Sequence, residues 1–226
     1  MSFFDASPVR HILNFHGIGP LYRELDPGED AFWLDQVAFE AILEAIRPED
    51  KVSLTFDDGN LSDLEIAIPL LLRRNLKASF FISTGKIGSK GYLAEPQVRE
   101  IENAGMIVGS HGVSHTSWRG FDETGLRAEL EGSRTRLEEI LGKPVAHAAC
   151  PLGAYDRRVL QGLRQAGYTC VYTSDGGPAR SDQWLQPRTS LRSHDGFEST
   201  RRLLDSSFHG IENVSRRFKT AIKRRL

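Results

Sequence analysis

Two pairs of residues in this sequence are of types that hold metals and move protons. Asp57 and Asp58 end the apolar run Val52-Ser53-Leu54-Thr55-Phe56, and His111 and His115 follow the run Met106-Ile107-Val108-Gly109-Ser110. Adjacent carboxylates repel each other unless a cation or hydrogen-bond donors lie close. Imidazoles four residues apart on a helical turn share one side of it, about 5–6 Å apart at Cβ, within reach of one ion. One carboxylate and two neutral imidazoles make an open site suited to a hydrolytic metal: zinc foremost, with cobalt, manganese and iron also compatible. The spare carboxylate is then placed to act as a general base on water. For an isolated Asp-Asp-Gly, capping of the next helix is the ordinary alternative.

Two further apolar runs end in residues of interest. Ala148-Ala149-Cys150 leads into Pro151-Leu152-Gly153-Ala154-Tyr155-Asp156, where Pro151 fixes the chain and Gly153 permits an unusual dihedral. That turn can present the Leu152 N–H to a bound oxygen. Ile12-Leu13-Asn14-Phe15 ends at His16, a candidate proton donor or a hydrogen-bonded core histidine. Trp118, Tyr155 and Trp184 lie near these positions and are candidates to stack on sugar rings, with core packing as the alternative.

The elements that must position these residues alternate along the chain. Strands are predicted at 11–16, 52–56, 78–82, 106–110, 145–150 and 168–173, with a shorter one after Pro187. Helices are predicted at 37–47, 61–74, 97–104, 123–141 and 156–166, ending at Gly105, Gly142 and Gly167 where a helix stop is wanted. Strand and helix in alternation, with no Asn-Gly hairpin signal, predict parallel strands with crossover helices. Neither GxGxxG after the first strand nor GxxxxGK[ST] occurs, which favours a barrel over a doubly wound nucleotide-binding sheet. In such barrels chemistry gathers where strands end.

These motifs together resemble the polysaccharide deacetylases of the NodB-homology type, carbohydrate esterase family 4. Thr55-Phe56-Asp57-Asp58-Gly59 is similar to the family's TFDDG motif, His111 to His115 to its HxxxH motif, and Pro151-Leu152-Gly153 to its Pro-aromatic-Gly motif. The resemblance covers roughly residues 10–190 and implies a distorted (β/α) barrel. It further implies that Asp58, His111 and His115 bind one divalent metal, that Asp57 is the catalytic base, and that the Leu152 N–H helps hold the oxyanion, with Pro151 and Gly153 lining the substrate site. Some members look circularly permuted, with the acid-bearing strand moved to the front, so His16 is the implied general acid. His194, in Leu191-Arg192-Ser193-His194-Asp195, is the second choice, and His209 is a further late histidine.

Two departures stand out. The position after the first metal histidine, usually Ser or Thr, is Gly112, and the arginine that commonly precedes the Pro motif is Ala149. Arg188 is therefore expected to supply the guanidinium that orients Asp57, with Asp175 nearby. The implied reaction is removal of N-acetyl groups from an acetylated glycan, releasing acetate. An O-acetyl esterase and an inactive glycan-binding barrel are the alternatives.

The chain has 226 residues, 39% of them hydrophobic and 26% charged, enough for a substantial core. A net charge of −1 gives no field for gripping a nucleic-acid backbone, so no nucleic-acid partner is expected. Two cysteines make no disulfide framework. The N-terminus has no signal-like pattern and the longest apolar run, Ile66 to Leu72, is too short to span a bilayer, so a cytoplasmic location is expected. Residues 1–213 are expected to form the one barrel domain. Residues 214–226 carry six basic and no acidic side chains, with Val214, Phe218, Ile222 and Leu226 spaced four apart. They predict an amphipathic helix that packs on the barrel or rests peripherally on an anionic membrane.

Overall fold

The computed structural model describes residues 9–48 and 50–205, so the predicted helix at 214–226 and His209 lie outside the described residues. Strand β1 (Val9–Phe15) pairs in parallel with β2 (Val52–Phe56), β2 with β3 (Ala78–Ile82), β3 with β4 (Ile107–Ser110), β4 with β5 (His147–Ala149), and β5 with β6 (Cys170–Thr173). Each of the six predicted runs thus forms a strand. The crossovers carry α1 (Gln36–Glu44), α2 (Ile68–Arg73), α3 (Glu95–Asn103), α4 (Glu123–Arg127), α5 (Ser133–Leu141) and α6 (Arg157–Gln165), and α7 (Phe197–Asp205) follows the last strand.

Closure depends on a short late segment. β8 (Leu185–Pro187) pairs with β6, and β9 (Thr189–Ser190) pairs with β1, both in parallel, so the chain from 185 to 190 bridges the two ends of the sheet. The result is a nearly closed, mostly parallel barrel with helices outside it, as expected. β7 (Ala179–Arg180) was not foreseen and is antiparallel to β1. Two residues are too few to leave a periodic signal in a sequence. Among the described residues no helix is long and apolar enough to cross a membrane.

Strand alternation sorts side chains between two environments. Leu13, Phe15, Leu54, Phe56, Phe80 and Val108 join helix residues such as Phe39, Ile42, Val98 and Leu137 in the core between barrel and helices. There the Phe56 ring stacks on Phe80 at 4.6 Å and on Phe15 at 5.0 Å. The opposite faces give a second, strand-only cluster of Ile12, Phe81, Ala149, Tyr172 and Ala179, which fills the barrel interior. In register with these, Asn14 lies beside Thr55, and Asp57 comes two residues later on the same face. An apolar plug therefore underlies a polar layer where the strands end.

Two of the predicted helices run on as single helices with a wide turn inside. The helix from Leu61 loosens to a π-turn at Asp63–Ala67 before α2, because Pro69 has no N–H to offer the carbonyl one turn back. The helix 123–141 contains a π-turn at Ala128–Gly132 between α4 and α5.

Candidate active site

Asp57 leaves β2 with its backbone N–H bonded to Phe15 O at 3.0 Å, which fixes its place at the barrel mouth. Its carboxylate is held by both ends of the Arg188 guanidinium, Nη1 to Oδ1 at 2.7 Å and Nη2 to Oδ2 at 2.8 Å. Asn14 Nδ2 donates to Oδ2 at 3.0 Å. Asn14 Oδ1 in turn accepts from Arg188 Nη1 and from the Thr55 hydroxyl, each at 2.8 Å. All four residues are buried. Arg188 arrives here because it sits between β8 and β9, at the crossing that closes the barrel, where its own N–H bonds Thr173 O at 2.9 Å. Burial pushes the Asp57 carboxyl up, yet the charges of Arg188 and His111 hold it below its ordinary value. Asp57 is ionised and fixed in direction.

Asp58 follows in a strained backbone, φ 77°, as the chain turns at Gly59. Its Oδ1 lies 3.0 Å from His115 Nε2 and 3.5 Å from His111 Nε2. His111 Nδ1 is 2.9 Å from Ala149 O. A carbonyl only accepts, so Nδ1 carries the proton and the Nε2 lone pair faces Asp58. Ala149 thus contributes its carbonyl to the site.

The three ligand atoms fall within 4.8 Å of one another. Asp58 Oδ1 is buried and receives no hydrogen bond among the described residues. An orphaned anionic oxygen facing two imidazole nitrogens is the donor set of a divalent cation, and the residues present fit one. Burial raises the Asp58 carboxyl, but the close imidazole of His115 and its charge hold it far below the usual range. Burial pushes His111 down to about 4. His115, less buried, is lowered by burial but raised overall by the Asp58 carboxylate beside it.

The structure brings other predicted residues to the same mouth. His16 is half-buried just past β1, its ring 5.1 Å from that of Phe32, with Nδ1 lacking a partner among the described residues. A protonated His16 lowers the carboxyl pKa of both Asp57 and Asp58. Leu152 stands 71% exposed at φ 56°, and the flanking turn bonds, Gly153 N to Cys150 O and Ala154 N to Pro151 O, leave its N–H out. His194 is exposed on the loop between β9 and α7.

Several expectations need correction. Trp118 and Tyr155 have 0% and 1% exposure, so neither ring has a free face for a sugar. Trp118 fills the core beneath α4 and α6, and the Tyr155 hydroxyl donates to Asp175 Oδ2 at 2.6 Å. Asp175 accepts from Tyr155 and from Thr173, and the N–H of the next residue, Gly176, bonds Arg188 O at 2.8 Å. Pro151 and Gly153 are buried and shape the turn beneath Leu152. Trp184 has one face covered by the Arg164 guanidinium at 4.0 Å. Gly112 marks no lost support: at φ 79° a Cβ there would meet Glu129 Oε2 at 2.7 Å and Trp118 Nε1 at 2.8 Å.

Sequence reasoning missed Asn14, Thr55, Asp63 and Glu129. Asn14 and Thr55 share the inward face with Asp57, a signal that alternation carried. Asp63 is fully buried on the first π-turn, with no hydrogen bond to either carboxylate oxygen among the described residues. Burial, with Asp58 and Asp57 nearby, pushes its pKa well up.

The mouth of this mostly parallel barrel joins an arginine-held aspartate to an Asp-His-His cluster, and the sequence comparisons give the chain a family. Residues 45–171 match the family model for polysaccharide deacetylase, and the chain belongs to that family. The Bacillus subtilis protein YxkH is 26% identical over 180 residues, covering 79% of this chain and 62% of that protein. A chitin deacetylase from Pestalotiopsis is 29% identical over 130 residues, covering 58% of this chain and 43% of its own length. The chain thus spans between about two fifths and three fifths of these two relatives. The Streptococcus pyogenes deacetylase PplD, solved with acetate, shares the fold at a TM-score of 0.76 and 21% identity, over 88% of this chain and 99% of PplD.

Proposed function

We propose that this protein is a metal-dependent deacetylase that removes N-acetyl groups from amino-sugar-containing glycans and releases acetate. The observation that carries the reading is the contrast between neighbours: Asp57 is locked by Arg188, whereas Asp58 turns an unsatisfied oxygen toward two imidazoles. Two carboxylates one residue apart thus have different work to do. Chitin and polysaccharide deacetylases among the relatives support the substrate class.

Asp58, His111 and His115 would hold the cation, which supplies Lewis-acid polarisation of the amide carbonyl and acidifies water at neutral pH. Zinc is the proposed ion, since it accepts one oxygen and two nitrogen donors without geometric preference. Asp57, ionised and held in one orientation, takes the proton from the attacking water. The Leu152 N–H, displayed by its positive φ, donates to the carbonyl oxygen as charge gathers there. His16 protonates the departing nitrogen, since an amine leaves poorly without a proton. The buried plug of Phe81 and Tyr172 beneath this layer keeps water from reaching Asp57 from below.

The reading is tested by acetate release from N-acetylated and O-acetylated glycans, using chelator-stripped protein re-supplied with single divalent metals. Release from an N-acetyl sugar that returns only with metal is the expected result. Release that is indifferent to chelation, or confined to O-acetyl substrates, would overturn it.

A further inference from the structure

The five residues from His111 to His115 form a loop rather than a helix, and its second histidine is held at φ 55°, a conformation a β-carbon resists. Something must hold that loop. Its carbonyls are taken from one side: Thr84 N bonds Gly112 O and Gly85 N bonds Val113 O, each at 2.9 Å. Its amides are taken from the other. Gly112 N bonds Ser110 Oγ at 3.1 Å. Glu129 Oε2 accepts from Val113 N at 2.8 Å, and both its oxygens accept from Ser114 N, at 3.1 and 3.2 Å.

We propose that Glu129 is the positioning residue for the second histidine of the metal site: its carboxylate clamps the two amides before His115 and so sets where that imidazole points. Three observations converge on it. Glu129 is 6% exposed, and two charge-assisted backbone bonds are what it receives in return for burial. It lies on the π-turn Ala128–Gly132, where the wider turn shifts side chains around the helix axis relative to a regular α-helix. Gly112 leaves the space it occupies, since a β-carbon there would stand 2.7 Å from Oε2. The carboxylate thus replaces local side-chain support inside the loop, and glycine at 112 is the condition for it.

This inference rests on the metal-site reading of Asp58, His111 and His115, and the experiment separates the two. Cobalt(II) is titrated into chelator-stripped wild type, Glu129→Leu and Glu129→Gln, following affinity and the visible absorption spectrum, with thermal unfolding recorded in parallel. Outer partners of metal ligands commonly control affinity by about 10–100-fold. Glu129→Leu is expected to weaken cobalt binding within that range and to change the spectrum as one histidine is lost. Glu129→Gln, which keeps an acceptor, is expected to fall between. Gly112→Ala displaces the carboxylate from the other side and is expected to match Glu129→Leu, which keeps the test open if the leucine variant misfolds. Wild-type affinity and spectrum in folded Glu129→Leu and Gly112→Ala would overturn the positioning role. Failure of wild type itself to bind cobalt would overturn the metal-site reading.

Discussion

Replacing Arg188 with methionine keeps the side chain's reach and removes the guanidinium that holds Asp57. Both partners are buried, Arg188 at 0% and Asp57 at 2% exposure, and their two bonds are 2.7 and 2.8 Å long. Removing one member of such a pair leaves a desolvated charge and costs about 3–5 kcal/mol. At about 2–4 °C per kcal/mol for a chain of this size, the melting temperature should fall by roughly 6–20 °C. The chemical effect follows from the sign of the pKa shift. In the native protein Arg188 holds the Asp57 carboxyl below its ordinary value against burial; without it, burial pushes the carboxyl up. The acidic limb of kcat/KM should therefore move to higher pH, and at neutral pH the rate should fall by about 10²–10⁴, as for loss of a general base. Arg188→Lys restores charge without the paired bonds and should lie between. Acetate release across pH, paired with urea unfolding of each variant, measures both effects. A methionine variant that unfolds at the wild-type midpoint and keeps its acidic limb in place would refute the reasoning.

Asn14→Leu removes the donor to Asp57 and the acceptor shared by Arg188 and Thr55; stability should drop by about 1.5–3 kcal/mol and kcat should fall while KM holds, as read from urea curves and initial rates. Asp63→Asn should raise the melting temperature at neutral pH, because an acid whose folded pKa is raised loses stability as pH rises and the amide does not; a lower melting temperature would mean that Asp63 is ionised and paired. In metal-stripped protein, His111 stays neutral down to about 4 while the unfolded chain protonates its histidine below about 6.5. Stability should thus fall as pH drops through that window, with Asp57 and Asp58 adding to the loss below about pH 4. The raised His115 works the other way, its contribution complete below about 6.5 and fading at higher pH. Urea midpoints across pH check this, and His111→Gln should flatten the fall between 6.5 and 4.

Much of this arrangement is legible in the sequence because parallel strands are short apolar runs that end in polar residues. Phe56 passing to Asp57 and Ser110 passing to His111 mark both strand ends and site. What stays hidden has physical causes. Trp118 and Tyr155 lie next to motifs in the chain, but proximity in sequence does not say which face a ring turns to, and both face the core. Asn14 looks like an ordinary strand residue until the register sets it beside Thr55 and under Arg188. Glu129 looks like a solvent-facing residue of an amphipathic helix; the π-turn changes the phase of the helix there. Arg188 carries no periodic signal, since it lies between two strands of three and two residues, and the sequence points to it through the arginine missing at Ala149.

The central claim is that Asp57 is the base and Asp58 the metal ligand. Asp57→Asn tests it most directly, with bound metal and acetate release measured on the same preparation. One equivalent of metal is expected to be retained, with turnover reduced by about 10²–10⁴. Full turnover with the metal still bound, or loss of the metal with Asp57 altered and Asp58 intact, would contradict it.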